Sequence, residues 1–299
     1  MNKIIQSVPN FSEGRDLQKI EQIVDVFRAR ENVKLLDYSN DRDHNRMVVT
    51  LIGEPEAVKN AVIDAVGKAV ELLDLRTHTG EHPRTGIVDV VPFVPIKNVS
   101  MNEAIALSKE AGKTISEKYH LPVFLYEKSA TAPHRENLAD IRRGGFEGLS
   151  EKMKDPKWKP DFGADIPHPT AGAVVIGARI PLIAYNINLN TNDIKIAKAI
   201  AKKIRFSDGG LPYCKAIGVE LREKGIVQVS TNITDYTQTP LHQVFELVKI
   251  EAAHFGITIA GSEIIGLVPI NAVIETFSFY LGLAEFDKNR ILDTKICEI

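Results

Sequence analysis

Apolar residues recur along this chain at two spacings, and each spacing predicts an element. KIIQSV (3–8) reads as a strand that stops at Pro9. DLQKIEQIVDVFRA (16–29) returns apolar side chains at helical spacing. Residues 33–39 and 46–53 are β-rich, with the polar loop NDRDHN between them. Over 55–73, Val58, Val62, Ala65, Val66, Ala69 and Leu73 fall on one helical face. Residues 87–96 give a strand. Ser100 and Glu103 form a capping-box pattern ahead of a helix over 101–119, and PVFLYE (122–127) is a further strand.

A polar, Pro- and Gly-rich stretch over 144–170 precedes the second half, which opens with AGAVVIGARIPLIAYNINL (171–189). A helix over 192–205, the strands KAIGVEL and IVQVSTNI, a helix over 240–255, a strand over 256–262 and a last helix near 270–283 follow. Leu241, Val244, Phe245 and Val248 make the stripe of the 240–255 helix. Each half therefore spells β-α-β-β-α-β, the first with an extra helix and strand. The expectation is an α+β fold of two ferredoxin-like βαββαβ subdomains packed side by side, with a ligand groove between them. The boundary falls near 175–181, giving subdomains 1–178 and 179–299.

The 299 residues suffice for two such units. Apolar content of 44% and charged content of 25% are ordinary for a globular protein, and a net charge of −2 leaves no electrostatic footprint for nucleic acid or membrane. No apolar run is long enough to span a bilayer, and the first residues carry no signal-peptide pattern. Cys214 and Cys297 stand in no metal or redox spacing, which fits a reducing, cytoplasmic setting.

The chemistry concentrates in LRTHTGEHPRTG (75–86). His78, Glu81 and His82 spell H-x-x-E-H, a pattern of one group of zinc peptidases. Zinc binding would need both histidines on one face of a continuous helix, whereas Gly80, Pro83 and the flanking threonines favour a loop. No metal is expected. For His78 a solvated loop histidine is the simpler reading. His82 has Glu81 before it and Arg84 two residues on, the pairing a group-transfer site needs: an acid/base titrating near neutrality beside an anion-binding arginine. An idle loop histidine is the competing reading.

At this point longer strings matter. SVPNFSEGR (7–15), DHNR (43–46), HTGEHPRTGIVDVVPFVPI (78–96), WKPDFG (158–163), GAVVIGAR (172–179), LIAYNINL (182–189), QVSTNITDY (228–236) and GSEIIGLVP (261–269) together resemble the glutamate formimidoyltransferases. The resemblance covers nearly the whole chain in the family's order. It implies transfer of a formimino group from N-formimino-L-glutamate to a ring nitrogen of tetrahydrofolate in histidine degradation. It further implies a two-subdomain fold, a folate tunnel between the subdomains and a homodimer. The family's catalytic histidine falls on His82. Its folate-contacting segment falls on Gly163, Ala164, Asp165, Ile166, Pro167, His168, Pro169, Thr170, Ala171 and Gly172. In vertebrate relatives a cyclodeaminase domain follows; this chain stops where that domain would start, so transferase activity alone is expected.

Given those substrates, further residues become candidates. Arginine forks bind carboxylates bidentately, and Arg15, Arg46, Arg84 and Arg179 lie in the quoted strings, each with a structural ion pair as the alternative. Glu81, Asp41 or Asp43 can face the cationic amidine. Asn10 and Ser12 follow the first strand, with capping of the next helix as the plain reading of Ser12. Asn186, Asn188 and Asn232 can meet the pterin or satisfy strand ends. Phe162 suits stacking or core packing, and His44 suits a loop hydrogen bond or support of His82. His120, His134, His242 and His254 read as structural. A folate-binding or regulatory protein on the same fold is the alternative function, and a zinc hydrolase a third.

Overall fold

The computed structural model describes residues 3–42, 44–80, 83–221 and 224–296. It divides into two compact units, Met1–Arg179 and Ile180–Ile299.

In the first unit β1 (Ile4–Ser7) and β2 (Asn10–Phe11) act as one strand interrupted at Pro9, since both pair antiparallel with β4 (Arg46–Gly53) and with β5 (Val88–Lys97). Proline brings no N–H to the ladder, which explains the break. β3 (Val33–Asp41) flanks β4 antiparallel. On the other side β7 (Val174–Ala178) runs parallel to β5, and β6 (Val123–Glu127) runs parallel to β7. Counting β1 and β2 as the first strand, the βαββαβ strands lie in the order fourth, first, third, second.

α1 (Leu17–Asp25), α2 (Pro55–Leu72) and α3 (Met101–Tyr119) cover one face. The predicted stripe Val58, Val62, Ala65, Val66 and Ala69 is fully buried there. Ser100 and Glu103 make the reciprocal capping box, worth about 1 kcal/mol to α3. Alternate residues of β7 enter two cores: Val174 and Ile176 join the large one, while Val175, with Ala173 just before the strand, joins a smaller one. The smaller core is closed by Ile141 of α4 (Leu138–Arg142) with Leu149 of α5 (Gly145–Lys152).

The second unit holds β8 (Ile183–Leu189), β9 (Cys214–Leu221), β10 (Ile226–Ile233) and β11 (Ile259–Ile265) in the order β11-β8-β10-β9, all antiparallel. This is the same fourth-first-third-second order. α6 (Ile194–Ile204) and α7 (Leu241–His254) bury Ala197, Ile200, Val244 and Val248 against Ile187, Leu189, Val227 and Val229. α8 (Ile270–Leu281) adds Ala272, and α9 (Leu292–Ile296) follows.

Three sequence expectations are corrected. The helix over 16–29 is shorter: Asp16 caps it and it ends at Asp25, with Ala29 and Asn32 at positive φ. The apolar run 171–189 does not open the second half as one piece. β7 belongs to the first sheet, and only β8 begins the second. The stretch 144–170, to which the sequence pattern assigns no element, carries α5 and a short 3-10 turn at Pro156–Trp158.

Candidate active site

Three segments of the first unit meet around Asn45. This residue is buried and sits at φ 49°, a left-handed conformation asparagine tolerates. Its Oδ1 accepts from Gly14 N at 2.8 Å, and its Nδ2 donates to Thr79 O at 2.9 Å. Its carbonyl oxygen lies 2.9 Å from His78 Nε2. Asn45 thus ties Gly14 to His78 and Thr79. Ser12 adds to the join: its Oγ donates to Gly86 O at 2.8 Å. It does not cap α1, because Asp16 does.

His78 is therefore not a solvated loop side chain, contrary to the expectation. The ring is half-buried, and burial pulls its pKa below the ordinary value. A carbonyl can only accept, so Nε2 carries the proton in the neutral ring. Nδ1 is buried without a hydrogen-bond partner among the described residues.

Beyond His78 the site is basic. Arg84 is 11% exposed and donates to His78 O at 3.1 Å and to Glu147 at 2.9 Å. Arg46 begins β4 in the next loop, and burial, then the neighbouring Arg142, pull its pKa down. Arg142 ends α4 and hydrogen-bonds Asp89, whose side chain is 2% exposed. Asp89 sits where the β2–β5 register shifts: Asn10 faces Val90 and Phe11 faces Val88, leaving Asp89 as the extra residue of a bulge. Its Oδ1 accepts from Thr85 N at 3.0 Å. The Nε atoms of Arg46, Arg84 and Arg142 are all buried without a partner among the described residues.

The segment Gly163–Gly172 runs beside this cluster. Thr170 O accepts from Leu75 N at 2.8 Å and Ala171 O from Ile87 N at 3.0 Å, so the segment brackets the 75–87 loop at both ends. Between them Gly86 and Gly172 form a bridge. Both must be glycine: a Cβ on Gly86 would lie 2.1 Å from Ala173 O, and one on Gly172 2.1 Å from Thr85 O. His168 Nδ1 accepts from Ala171 N at 3.1 Å, and burial lowers the pKa of this ring too. The first part is open: Ile166 is 68% exposed and Asp165 pairs with Lys159 at 2.6 Å.

Residues 4–179 match the family described as the formiminotransferase domain, N-terminal subdomain, and residues 184–295 match the formiminotransferase domain. A glutamate formimidoyltransferase of Streptococcus pyogenes serotype M1 is 46% identical over 97% of this chain and 97% of its own. One from Thermoplasma acidophilum is 43% identical over 98% and 97%. The chain belongs to the formiminotransferase family. A formimidoyltransferase-cyclodeaminase of Dictyostelium discoideum is 44% identical over 94% of this chain but only 53% of its own length.

In this formiminotransferase the sequence candidates fall as follows. His82, Glu81 and Asp43 lie outside the described residues. Arg84 and Arg46 come together with His78 through Asn45. Asn10 pairs with Val48 and Val90 and gives its side-chain amide to Val8 O at 2.9 Å. Arg15 is exposed and binds Arg42 O at 2.8 Å. His44 is held by Asp41 at 2.9 Å, the loop contact expected of it. Arg179 reaches the buried Tyr126 hydroxyl, and Phe162 packs on the main core. In the second unit Gln228 donates to Asn188 at 2.8 Å and to Glu263 at 2.9 Å, and Asn186 donates to Glu263 at 3.3 Å. His134 and His242 do have partners: Trp158 at 4.8 Å edge-on and Phe279 stacked at 4.1 Å.

Sequence reasoning missed Asn45, Asp89 and Arg142. A carboxylate inside the apolar string IVDVV was a signal for Asp89; nothing marked Arg142. Among the described residues no group of histidine, cysteine and carboxylate side chains could hold a metal ion, and no helix is long and apolar enough to cross a membrane.

Proposed function

We propose that this formiminotransferase moves the formimino group from N-formimino-L-glutamate to tetrahydrofolate, giving 5-formiminotetrahydrofolate and L-glutamate in histidine degradation. The observation that carries the reading is the seam between the 75–87 loop and the 163–172 segment, with three arginines bordering it. The ends of the 75–87 loop are joined to the 163–172 segment, and the arginines suit substrates rich in carboxylate.

The attacking folate amine must lose a proton as it adds to the amidine carbon. The glutamate nitrogen must gain one as it leaves. His82 serves both steps as general base and then general acid, a contribution of about 10²–10⁴ in rate. Glu81 faces the cationic amidine. Arg84, Arg46 and Arg15 bind substrate carboxylates and Asn10 the substrate edge. Gly163 to Gly172 contact the folate. Tetrahydrofolate is a co-substrate, and no metal takes part.

The finer architecture belongs to the same reading: ferredoxin-like subdomains 1–178 and 179–299 with a folate tunnel, in a cytoplasmic homodimer without nucleic-acid or membrane partners. The strand order common to both sheets supports the ferredoxin-like assignment. Exposed Phe277, Phe279, Tyr280 and Leu281 on α8 support a surface that a second copy covers.

The test is transfer activity with formiminoglutamate and tetrahydrofolate, comparing the parent with a folded His82→Ala variant. A loss of roughly a hundredfold in turnover with folate still bound supports the assignment. An inactive parent that binds folate would move the reading to a folate-binding or regulatory protein. Full activity in the variant would remove His82 from its role.

A further inference from the structure

Two partly buried arginines of the first unit, Arg142 and Arg46, lie within the influence of Asp89. Arg142 is 17% exposed and bonded to Asp89, yet its Nε edge has no partner among the described residues. Arg46 feels both Arg142 and Asp89, and its Nε is likewise buried and unpartnered. Asp89 is already engaged by Thr85 N and Arg142, and Arg46 also feels Asp41, its register partner on β3, so Asp41 is the carboxylate more nearly its own. An unpartnered buried Nε–H is matched by a carboxylate oxygen of a ligand, since guanidinium and carboxylate pair by charge-assisted hydrogen bonds.

The surroundings hold Arg142 rigidly. Asn137 caps the start of α4, and Lys152 Nζ donates to Asp140 O at 2.5 Å and Ile141 O at 2.7 Å at its end. The bulge at Asp89 aims that carboxylate at Arg142 instead of leaving it on the regular pleat. Asp89 fixes one arm of the fork and leaves the Nε edge for a ligand.

We propose that Arg142, positioned by Asp89 and paired with Arg46, binds a carboxylate of the formiminoglutamate donor. Arg142 is a specificity residue for the donor, and Asp89 is its positioning residue. The proposal rests on the transferase reading given above. The tail of a folate offers the same chemistry, a glutamate carboxylate, so the test has to separate the two sources.

The experiment is steady-state kinetics with each substrate varied in turn, on the parent, Arg142→Gln, Arg142→Lys and Asp89→Asn. Losing a charge-assisted hydrogen bond to the donor raises its KM on the order of ten- to a hundredfold. The expected pattern is that rise for Arg142→Gln, with the KM for tetrahydrofolate within about twofold and kcat within a few-fold. Arg142→Lys recovers part of the loss. Asp89→Asn moves the donor KM in the same direction, a split that a merely structural role would not produce. A rise confined to the tetrahydrofolate KM would assign the carboxylate to the folate tail and overturn the proposal, as would unchanged KM values.

A second measurement is independent of catalysis. L-Glutamate added to the parent raises its melting temperature, and Arg142→Gln loses that shift while keeping the one produced by tetrahydrofolate. An equal glutamate shift in both proteins overturns the proposal even if the variants are hard to assay. An inactive parent that still shows the Arg142-dependent glutamate shift sinks the transfer reaction but not this site.

Discussion

The guanidinium of Arg135 donates to the Asp161 carboxylate at 2.8 Å, with the two side chains only 8% and 7% exposed. Around this pair most polar groups are met, with Arg135 Nε unpartnered among the described residues. The same Asp161 oxygen accepts from Leu125 N at 2.7 Å, and the other accepts from Thr131 at 2.5 Å. Arg135 also donates to Lys157 O at 3.0 Å and to Lys159 O. The pair thus clasps residues 157–161 onto β6, just before the segment Gly163–Gly172.

Removing one member of such a pair leaves a buried charge uncompensated, which costs about 3–5 kcal/mol. Asp161→Ala is therefore expected to lower stability by about that amount in urea denaturation. Asp161→Asn retains an acceptor for Leu125 N and falls between it and the parent. A loss below about 1 kcal/mol for Asp161→Ala would show that water or local rearrangement replaces the carboxylate.

The seam between the 75–87 loop and the Gly163–Gly172 segment depends on Gly172 for two reasons. Its φ is +71°, and a Cβ would lie 2.1 Å from Thr85 O. Gly209 shares the first feature, at φ +90°, but has nothing within 4 Å of a Cβ. Strain in the left-handed region and overpacking each cost about 1–3 kcal/mol, so Gly172→Ala pays both and Gly209→Ala only one. Transfer activity should fall with Gly172→Ala and persist with Gly209→Ala. Equal losses of melting temperature and activity in the two variants would rule out the close approach as the reason for this glycine.

Why some of this was legible in the sequence and some was not follows from range. The α2 stripe and the Ser100–Glu103 box are local patterns, and both formed as read. Capping of α1 went to Asp16 because Ser12 is claimed by Gly86 O, 74 residues away, and a distant claim leaves no local trace. β7 joined the first sheet because β5 and β6 offered it two parallel neighbours, a choice made by tertiary pairing. At the candidate site, Arg46 and Arg84 stood in recognisable strings. Arg142 stands on a five-residue helix in a stretch with no pattern, and only the bulge at Asp89 reveals why it is held.

His78 offers a pH test of the loop junction. Its pKa lies below the ordinary 6.5, first because of burial, opposed by the Asn45 carbonyl, with Arg84 and Arg15 lowering it further and Glu13 raising it. The folded protein therefore takes up this proton less readily than the unfolded chain. Above the unfolded value the ring is neutral in both states, and the contribution of His78 to stability is complete. As pH falls below about 6.5 the unfolded chain binds the proton first, so this contribution is lost toward acid. His78→Gln keeps an N–H to offer Asn45 O and has nothing to titrate. Urea midpoints of the two proteins at about pH 7.5 and about pH 5.5 should show the parent losing ground relative to the variant at the lower pH. A gap of the same size at both values would mean that His78 is no less basic in the folded protein than in the unfolded chain, and that its half-buried ring stays open to water.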